Sequence, residues 1–295
     1  MEALFIGHNY TDVTCLSDYI PTGDEKYVGK DYAFGVGGNA VVAAFTVAKM
    51  GAETGLLTQV AEDRLGDTFL QRAARYGIRI FPRAVKRSSL SLILPNNGNK
   101  RAILRCRDGE YLEPAPKIRF KKSLQVLHLD GHMPISALEY AKKARKAGVM
   151  TSLDGGAVRP GMEELLEYID VAVVSEDFAK QLNLTFKETI QYLHDKGVKV
   201  AAVTMGDKGI LYSEGNGLKE LAALNIPMKD IIDTTGAGDV FHGAYVYSYI
   251  EYPERSWEEH FKFARAASAI CIQRMGAETG IPSLEEAEEL FEKTK

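Results

Sequence analysis

Short apolar segments alternate with longer helical patterns along this chain of 295 residues. Residues 3–6 and 54–59 have the length and composition of buried strands, and the Ala- and Val-rich residues 39–50 are typical of a helix that ends at Gly51. The same alternation returns over residues 126–204. Strands that alternate with helices favour a parallel sheet, because each helix carries the chain back across the sheet. The sequence therefore predicts an α/β fold whose mostly parallel sheet is covered by helices on both faces.

Two regions, residues 13–34 and 88–106, break this alternation. The second places alternating segments on either side of Asn97-Gly98, a dipeptide typical of a hairpin turn. We expect both regions to form a small antiparallel sheet that acts as a lid, as a dimer contact, or as both. A homodimer through this lid is the expected assembly. The rest of the chain is assigned to the core: residues 1–12, 35–87 and 107–295.

Composition argues against several classes of protein. The chain has 36 Lys and Arg against 40 Asp and Glu, a formal net charge of -4, so it lacks the basic surface of a nucleic-acid-binding protein. Cys15, Cys106 and Cys271 are odd in number and far apart, which argues against a disulfide framework or a structural zinc site. No stretch approaches the ~20 apolar residues of a membrane helix. We expect a cytoplasmic protein without nucleic-acid or membrane partners.

The segment 233–244, DTTGAGDVFHGA, carries the strongest chemical signal. Its turn, Gly236-Ala237-Gly238, lets several backbone N–H groups converge at the positive end of the next helix, which forms an anion site. A carboxylate in the same turn, Asp239, can accept the proton of a hydroxyl that attacks a bound phosphoryl group. A plain Gly-x-Gly-Asp turn is more often only a capped helix start, but the full string is far more specific. The G-x-x-x-x-G-K-[ST] loop is absent, so the competing phosphate-binding fold has no support.

This string resembles the second signature of the ribokinase-like (PfkB) carbohydrate kinases, and the resemblance extends over nearly the whole chain. Residues 7–12 resemble the opening of that family, and residues 35–40, GVGGNA, resemble its first signature rather than a G-x-G-x-x-G dinucleotide motif. The resemblance implies the three-layer α/β/α ribokinase-like fold with a small β lid. It also implies transfer of the γ-phosphate of ATP to a hydroxyl of a sugar, with Mg²⁺ to neutralise the phosphoryl charge.

The resemblance assigns roles to individual residues. Asp239 is the expected catalytic base, and the backbone amides of Gly236, Ala237 and Gly238 are expected to stabilise the transferred group. The expected sugar-binding residues are Asp12, Gly37, Gly38, Asn39 and His132. The expected ATP-binding residues are Ser175, Thr204, Gly206, Gly209, Ala267 and Cys271. Positions that match a monovalent-cation site, which would hold K⁺, are Asp233, Thr235, Cys271, Arg274, Gly276 and Gly280.

Three departures from the family pattern bear on the chemistry and the substrate. Phe178 stands where family members often carry the final Glu of an Asn-x-x-Glu motif, so either Glu176 replaces it through water or the motif is absent. Val42 stands where ribokinases tend to carry Asn, which argues against strict ribose specificity. Residues 148–155 and the second signature are most similar to sulfofructose and other ketose-type kinases, yet His132 replaces the sulfonate-binding arginine of sulfofructose kinases. A ketose-like substrate is favoured.

Several side chains near the expected site admit two interpretations. His132 either contacts the substrate or is satisfied within its own loop. Arg105 and Arg107 end the expected hairpin, and they either reach an anionic group or are exposed edge charges, which is the slightly favoured interpretation. His242 is expected to be a packing residue.

The function has two rivals. One is a nucleoside kinase, for which few aromatic residues of the lid region, Tyr27, Tyr32 and Phe34, are available to stack on a base. The other is a sugar- or nucleotide-binding regulator that has lost catalysis, against which the intact Asp239 argues.

Overall fold

A computed structural model describes residues 1–20, 22–96 and 100–295 of the chain. The strands in chain order are β1 (Ala3–Ile6), β2 (Tyr10–Leu16), β3 (Asp31–Gly37), β4 (Thr54–Ala61), β5 (Arg79–Val85), β6 (Leu90–Asn96), β7 (Lys100–Cys106), β8 (Val126–Leu129), β9 (Met150–Gly155), β10 (Val171–Ser175), β11 (Val200–Thr204), β12 (Ile210–Ser213) and β13 (Leu218–Leu221). The helices are α1 (Asn39–Met50), α2 (Arg64–Arg75), α3 (Pro134–Ala147), α4 (Met162–Leu166), α5 (Glu176–Gln181), α6 (Phe186–Asp195), α7 (Ala237–Glu251), α8 (Trp257–Cys271), α9 (Ala277–Gly280) and α10 (Leu284–Lys293).

The main sheet has nine strands in the order β13-β12-β11-β10-β9-β8-β1-β4-β5. From β11 to β5, each strand in this order is parallel to its neighbour. Strand β12 is antiparallel to both of its neighbours, β11 and β13. This confirms the predicted, mostly parallel sheet. The chain runs outward from β1 to β5 on one side and from β8 to β11 on the other, so its winding reverses between β1 and β8. Ligands of such sheets bind beyond the carboxyl ends of the strands at the reversal.

Two hydrophobic clusters, one on each face of the main sheet, make up the core. Successive residues of a strand point to opposite faces, and in β1 this sends Phe5 into one cluster and Leu4 and Ile6 into the other. Helices α1, α7 and α8 cover the first face, and α3, α4 and α6 cover the second. The predicted three-layer α/β/α architecture is therefore confirmed.

The second sheet has four strands in the order β3-β2-β6-β7. Two antiparallel pairs, β2–β3 and β6–β7, lie side by side, so the central pair β2–β6 is parallel and the sheet is not wholly antiparallel as expected. The strands also run past the expected boundaries. Residues 10–12 and 35–37, which we had assigned to the core, belong to this small sheet. The expected Asn97-Gly98 turn lies outside the described residues.

Side-chain caps set the starts of two helices. Helix α2 begins at Arg64, because the Asp63 side chain accepts a hydrogen bond from the N–H of Gly66. Helix α6 begins at Phe186 because Thr185 and Glu188 form a capping box. Within the described ranges, no helix is long and apolar enough to cross a membrane.

Candidate active site

The turn before α7 needs glycine for steric reasons. Gly236 has φ +81°, and a Cβ atom there would lie 2.5 Å from the Cβ of Ala277. This conformation starts α7 at Ala237 and places Asp239, which is partly exposed, in its first turn. The positive end of the helix dipole therefore lies beside the carboxylate of Asp239 and favours a bound anion next to it.

Asp233 fixes this turn to a second segment of the chain. Its buried carboxylate accepts hydrogen bonds from the backbone N–H of Thr235 (Oδ1, 2.9 Å) and of Gly276 (Oδ2, 2.9 Å). The backbone N–H groups of Ile232 and Asp233 donate to the carbonyl of Ile272. These bonds join residues about forty positions apart. They hold the turn over Gly236 to Gly238 in place relative to the end of α8.

The positions that match a monovalent-cation site lie around this junction. Thr235 Oγ1 is buried and has no hydrogen-bond partner among the described residues. Cys271 Sγ lies 3.9 Å from the carbonyl oxygen of Thr235, and a Cβ on Gly280 would lie 2.7 Å from the same sulfur. The pKa of the Cys271 thiol is raised to about 12, chiefly by burial and also by the charges of Asp239 and Asp233. The unsatisfied Thr235 hydroxyl fits a cation ligand.

The guanidinium of Arg274 forms an ion pair with Glu286 of α10, which leaves the backbone of Arg274 as the part that matches the cation site. Its backbone N–H donates to the carbonyl of Cys271. The ion pair lowers the pKa of Glu286 to about 2.

Asp12 belongs to β2 of the small sheet. Its side chain is 8% exposed, and a Cβ at Gly37 would overlap its carboxylate, so glycine makes room for this side chain against β3. Burial raises the pKa of Asp12 to about 6, although a hydrogen bond from Ser91 and the charge of Arg105 oppose the shift. The charge of Asp233 also raises it, which shows that the two carboxylates lie within electrostatic range of each other.

Gly38 and Asn39 bring the start of α1 to the same edge. Gly38 has φ +101°, and a Cβ there would overlap the carbonyl oxygen of His8. Asn39 Nδ2 donates a 3.0 Å hydrogen bond to Oδ2 of the buried Asp154 in β9. The amide of Asn39 is thereby held in one orientation, with its carbonyl oxygen available to a ligand.

The expected nucleotide residues fall into two groups. Ser175 and Thr204 are paired neighbours at the carboxyl ends of β10 and β11. Gly209 has φ +93°, and a Cβ there would overlap the carbonyl oxygen of Leu221, so this turn also needs glycine. Ala267 and Cys271, by contrast, are fully buried in α8, and their side chains line no open surface in this conformation.

A model of the pfkB family carbohydrate kinases matches residues 2–284 of the chain. The chain belongs to this family. The match confirms the resemblance described above and the prediction of an ATP-dependent carbohydrate kinase. The particular similarity to sulfofructose kinases stays a prediction.

Curated relatives of this pfkB-family kinase include ribokinases. The ribokinase of Haemophilus influenzae is 26% identical over 296 residues, which cover 93% of each chain. The ribokinase of Arabidopsis thaliana is 28% identical over 301 residues, which cover 95% of this chain and 77% of the plant protein.

Solved structures show the same fold. The ribokinase from Thermotoga maritima has a TM-score of 0.82 at 24% identity, with 99% of each chain covered. The Arabidopsis thaliana ribokinase complexed with ribose and ATP has a TM-score of 0.79 at 24% identity, with 98% of each chain covered.

We expected His242 to be a packing residue, but both nitrogens of its ring also make polar contacts. Although it is buried, its Nδ1 lies 2.7 Å from the carbonyl oxygen of Gly238 and 3.4 Å from Asp154 Oδ2. Its Nε2 lies 3.2 Å from the carbonyl oxygen of Val173 in β10. The ring thus joins the first turn of α7 to the aspartate that orients Asn39.

Asp130, which follows β8, was not predicted from the sequence as a site residue. Its buried carboxylate accepts hydrogen bonds from the backbone N–H groups of His8 (3.2 Å), Ala40 (3.4 Å) and His132 (2.9 Å). Burial raises its pKa to about 6. A signal was present for Asp130 and for Asp154, since both are acidic residues at the carboxyl ends of adjacent apolar strands.

His132 is not satisfied within its loop. It is 7% exposed, and its Nδ1 has no hydrogen-bond partner among the described residues. The pKa of His132 is lowered to about 2, chiefly by burial and also by the charges of Arg159 and Arg107. The ring is therefore neutral at the reversal point of the sheet.

The structure also explains the departure at Phe178. This side chain is buried in the second core cluster, where a carboxylate would be strongly disfavoured. Its backbone N–H donates to Oγ of Ser175, the N-cap of α5. Glu176 lies within ion-pair distance of Lys180.

Proposed function

We propose that this kinase transfers the γ-phosphoryl group of ATP to a hydroxyl of a ketose-like sugar, with Asp239 as the base. The observation that carries the proposal is the position of Asp239 in the first turn of α7, with Asp12 of the small sheet within electrostatic range of Asp233, which holds the turn before α7. A carboxylate next to an anion-binding helix end is the arrangement that a hydroxyl needs to lose its proton as it attacks a phosphoryl group.

Each residue has a separate part in the reaction. Asp12 and Asn39 accept hydrogen bonds from sugar hydroxyls and orient one of them toward the nucleotide. Asp239 accepts the proton of that hydroxyl as its oxygen bonds to the γ-phosphorus and the bond to the departing ADP oxygen breaks. The positive end of α7, over Gly236 to Gly238, stabilises the charge on the transferred group. Mg²⁺, bound with the nucleotide, supplies further charge neutralisation.

The nucleotide is proposed to lie beyond β10 and β11, along Ser175, Thr204, Gly206 and Gly209. This position is supported by the carboxyl-end location of all four residues and by the His242 link between β10 and α7. Ala267 and Cys271 lie behind that surface and support it from the core. A K⁺ ion is proposed at the junction of Asp233, Thr235 and Cys271, supported by the unsatisfied Thr235 hydroxyl.

The small sheet is proposed to close over the sugar as a lid and to pair with a second copy. Apolar side chains on it support a dimer, since Tyr32 is 72% and Leu104 is 66% exposed. The homodimer and the cytoplasmic location stay predictions. The rival nucleoside kinase gains no support from the lid aromatics, because Tyr27 donates to Asp18 and Phe34 lies under the guanidinium of Arg72.

A coupled ADP-release assay with ATP·Mg tests the proposal. The panel is fructose, tagatose, fructose 6-phosphate, sulfofructose, ribose, 2-keto-3-deoxygluconate and adenosine, each with and without K⁺. Turnover on a ketose is the expected result. Turnover on adenosine alone would contradict the sugar assignment, and ATP and sugar binding without turnover on any compound would favour the regulator.

A further inference from the structure

Three arginines from separate parts of the chain converge at the point where the winding of the main sheet reverses. Arg105 lies in β7, Arg107 follows it, and Arg159 lies between β9 and α4. All three lower the pKa of His8, which follows β1, and of His132, which follows β8. The arginines therefore surround the crevice where a doubly wound sheet binds its ligands.

The register of the small sheet places Arg105 beside the proposed sugar site. Asp12 of β2 pairs with Ser91 of β6, and Ser91 pairs with Arg105 of β7. Residues that pair across neighbouring strands share one face of a sheet, so Arg105 projects from the same face as Asp12. Its guanidinium lies 5.3 Å from the ring centroid of Tyr10, and its charge lowers the pKa of Asp12.

The other two arginines are held by the loop after β8. Arg159 Nε donates to the carbonyl oxygen of Asp130 (3.2 Å), and Arg107 Nη2 lies 3.5 Å from the carbonyl oxygen of His132. Gly131 has φ +71°, and a Cβ there would lie 3.3 Å from Arg159 Cδ, so the glycine lets the Arg159 side chain cross the loop. Each guanidinium keeps further N–H donors for a ligand.

No carboxylate of the described residues forms an ion pair with these three arginines, although Asp130 and Asp154 lie within electrostatic range of Arg159, and Asp12 within range of Arg105. The ion pairs formed by arginine side chains in the described part of the chain are those of Arg72 and Arg274, and neither belongs to the cluster. Asp130 is already engaged by three backbone N–H groups. Guanidinium groups that form no ion pair and lie at a ligand crevice favour a planar or tetrahedral oxyanion, which they bind with paired hydrogen bonds.

Two buried ring nitrogens beside the arginines also lack partners. His8 Nδ1 and His132 Nδ1 have no hydrogen bond within the described residues, although the rings are 0% and 7% exposed. Both rings are neutral, because burial and the arginine charges lower their pKa values to about 3 and about 2. Unsatisfied buried polar atoms are rare and indicate a missing partner such as water or a ligand.

We propose that Arg105, Arg107 and Arg159 form a subsite for an anionic group on the sugar substrate, at the end away from the hydroxyl that reacts. The group is a phosphate, sulfonate or carboxylate, which share the oxyanion chemistry that guanidinium recognises. This inference rests on the proposed sugar-kinase function and narrows its substrate to an anionic sugar. Arg105 and Arg107 are exposed, as the slightly favoured interpretation expected, and the proposal adds a ligand that they would bind.

The test compares kcat/KM of the full chain for fructose, fructose 6-phosphate and sulfofructose. One anionic sugar should exceed fructose by about tenfold or more, since a charge-assisted hydrogen bond contributes at least that factor. The variants Arg105→Gln/Arg107→Gln and Arg159→Gln should lose most of this preference, measured as the ratio of kcat/KM for the anionic sugar to kcat/KM for fructose in the same protein. The control Arg119→Gln alters an exposed arginine before β8, at the opposite edge of the sheet, and should keep the preference.

The outcomes separate the subsite from the kinase function. Turnover of fructose without preference for either anionic sugar, or a preference that survives the arginine substitutions, overturns the subsite and leaves the kinase intact. Faster turnover of fructose with added inorganic phosphate, without preference for an anionic sugar, assigns the arginines to a free anion and also overturns it. If no sugar turns over, calorimetric binding of the same three sugars decides: tighter anion binding that the variants lose supports the subsite, and equal binding overturns it.

Discussion

Asp12 combines a buried carboxylate with a proposed role in holding sugar hydroxyls, so its ionisation should control substrate binding. Burial raises its pKa to about 6, so the ionised form, the stronger acceptor, is lost as the pH falls through that value. The KM for the sugar should therefore rise about tenfold for each pH unit below 6.

Initial rates between pH 5 and pH 8 measure this dependence. Asp12→Asn should have a higher KM at pH 8 and should lose the rise at low pH, because its amide does not titrate in this range. A KM that rises equally in both proteins would assign the titration to another group.

Gly236 has a backbone conformation and a close neighbour that disfavour any side chain at this position. Gly236→Ala should lower the free energy of unfolding by about 2–4 kcal/mol, because it adds left-handed strain and overlap with Ala277. Gly77→Ala is the matched control, since Gly77 has φ +67° with open space around its Cβ and should lose only about 1–2 kcal/mol. Urea unfolding measures both values, and equal losses would show that Ala277 does not confine the turn.

At the scale of elements, Glu278 of α9 joins the small sheet to the main domain. Its carboxylate accepts a 3.0 Å hydrogen bond from the N–H of Val36 in β3 and a 2.6 Å charged hydrogen bond from Arg72 of α2. Arg72 also donates to the carbonyl oxygen of Phe34. The edge of the proposed lid is therefore tied to the segment that follows Gly276.

Glu278→Gln should loosen this tie without removing side-chain volume. We expect a loss of about 1–3 kcal/mol in unfolding free energy and a higher sugar KM, because β3 carries Gly37 beside Asp12. Glu285→Gln, on an exposed position of α10, is the control. A sugar KM unchanged by Glu278→Gln would show that β3 does not need this contact to form the sugar site.

The elements that could be predicted from the sequence are those with a local pattern. The alternation of apolar runs with helices predicted the parallel sheet, and the glycine-rich string predicted the turn that begins α7. The small sheet was expected to begin at residue 13, but residues 10–12 already belong to it. The chain passes from one sheet to the other there without a break in the strand pattern of the sequence. The Glu278–Val36 bond joins positions 242 residues apart, and no local pattern could indicate it.

Over the whole molecule, the two sheets contribute different parts of the proposed site. The carboxyl ends of the nine-stranded sheet and the start of α7 supply the anion-binding turn and Asp239, whereas the four-stranded sheet supplies Asp12 and Arg105. In the proposed site, the main sheet and its helices hold the base Asp239 and the amide of Asn39, and the small sheet adds Asp12 as a second group that orients the sugar. A reaction that excludes water therefore requires the two sheets to meet over the substrate.

Asp239→Asn tests the central claim most directly. On the sugar that the wild-type chain phosphorylates, kcat should fall by roughly 10²- to 10⁴-fold, while calorimetry shows ATP and sugar binding within a few-fold of wild type. Asp67→Asn is the matched control, since Asp67 is an exposed aspartate in the first turn of α2 and should leave kcat unchanged. A kcat for Asp239→Asn within a few-fold of wild type would contradict the assignment of Asp239 as the base.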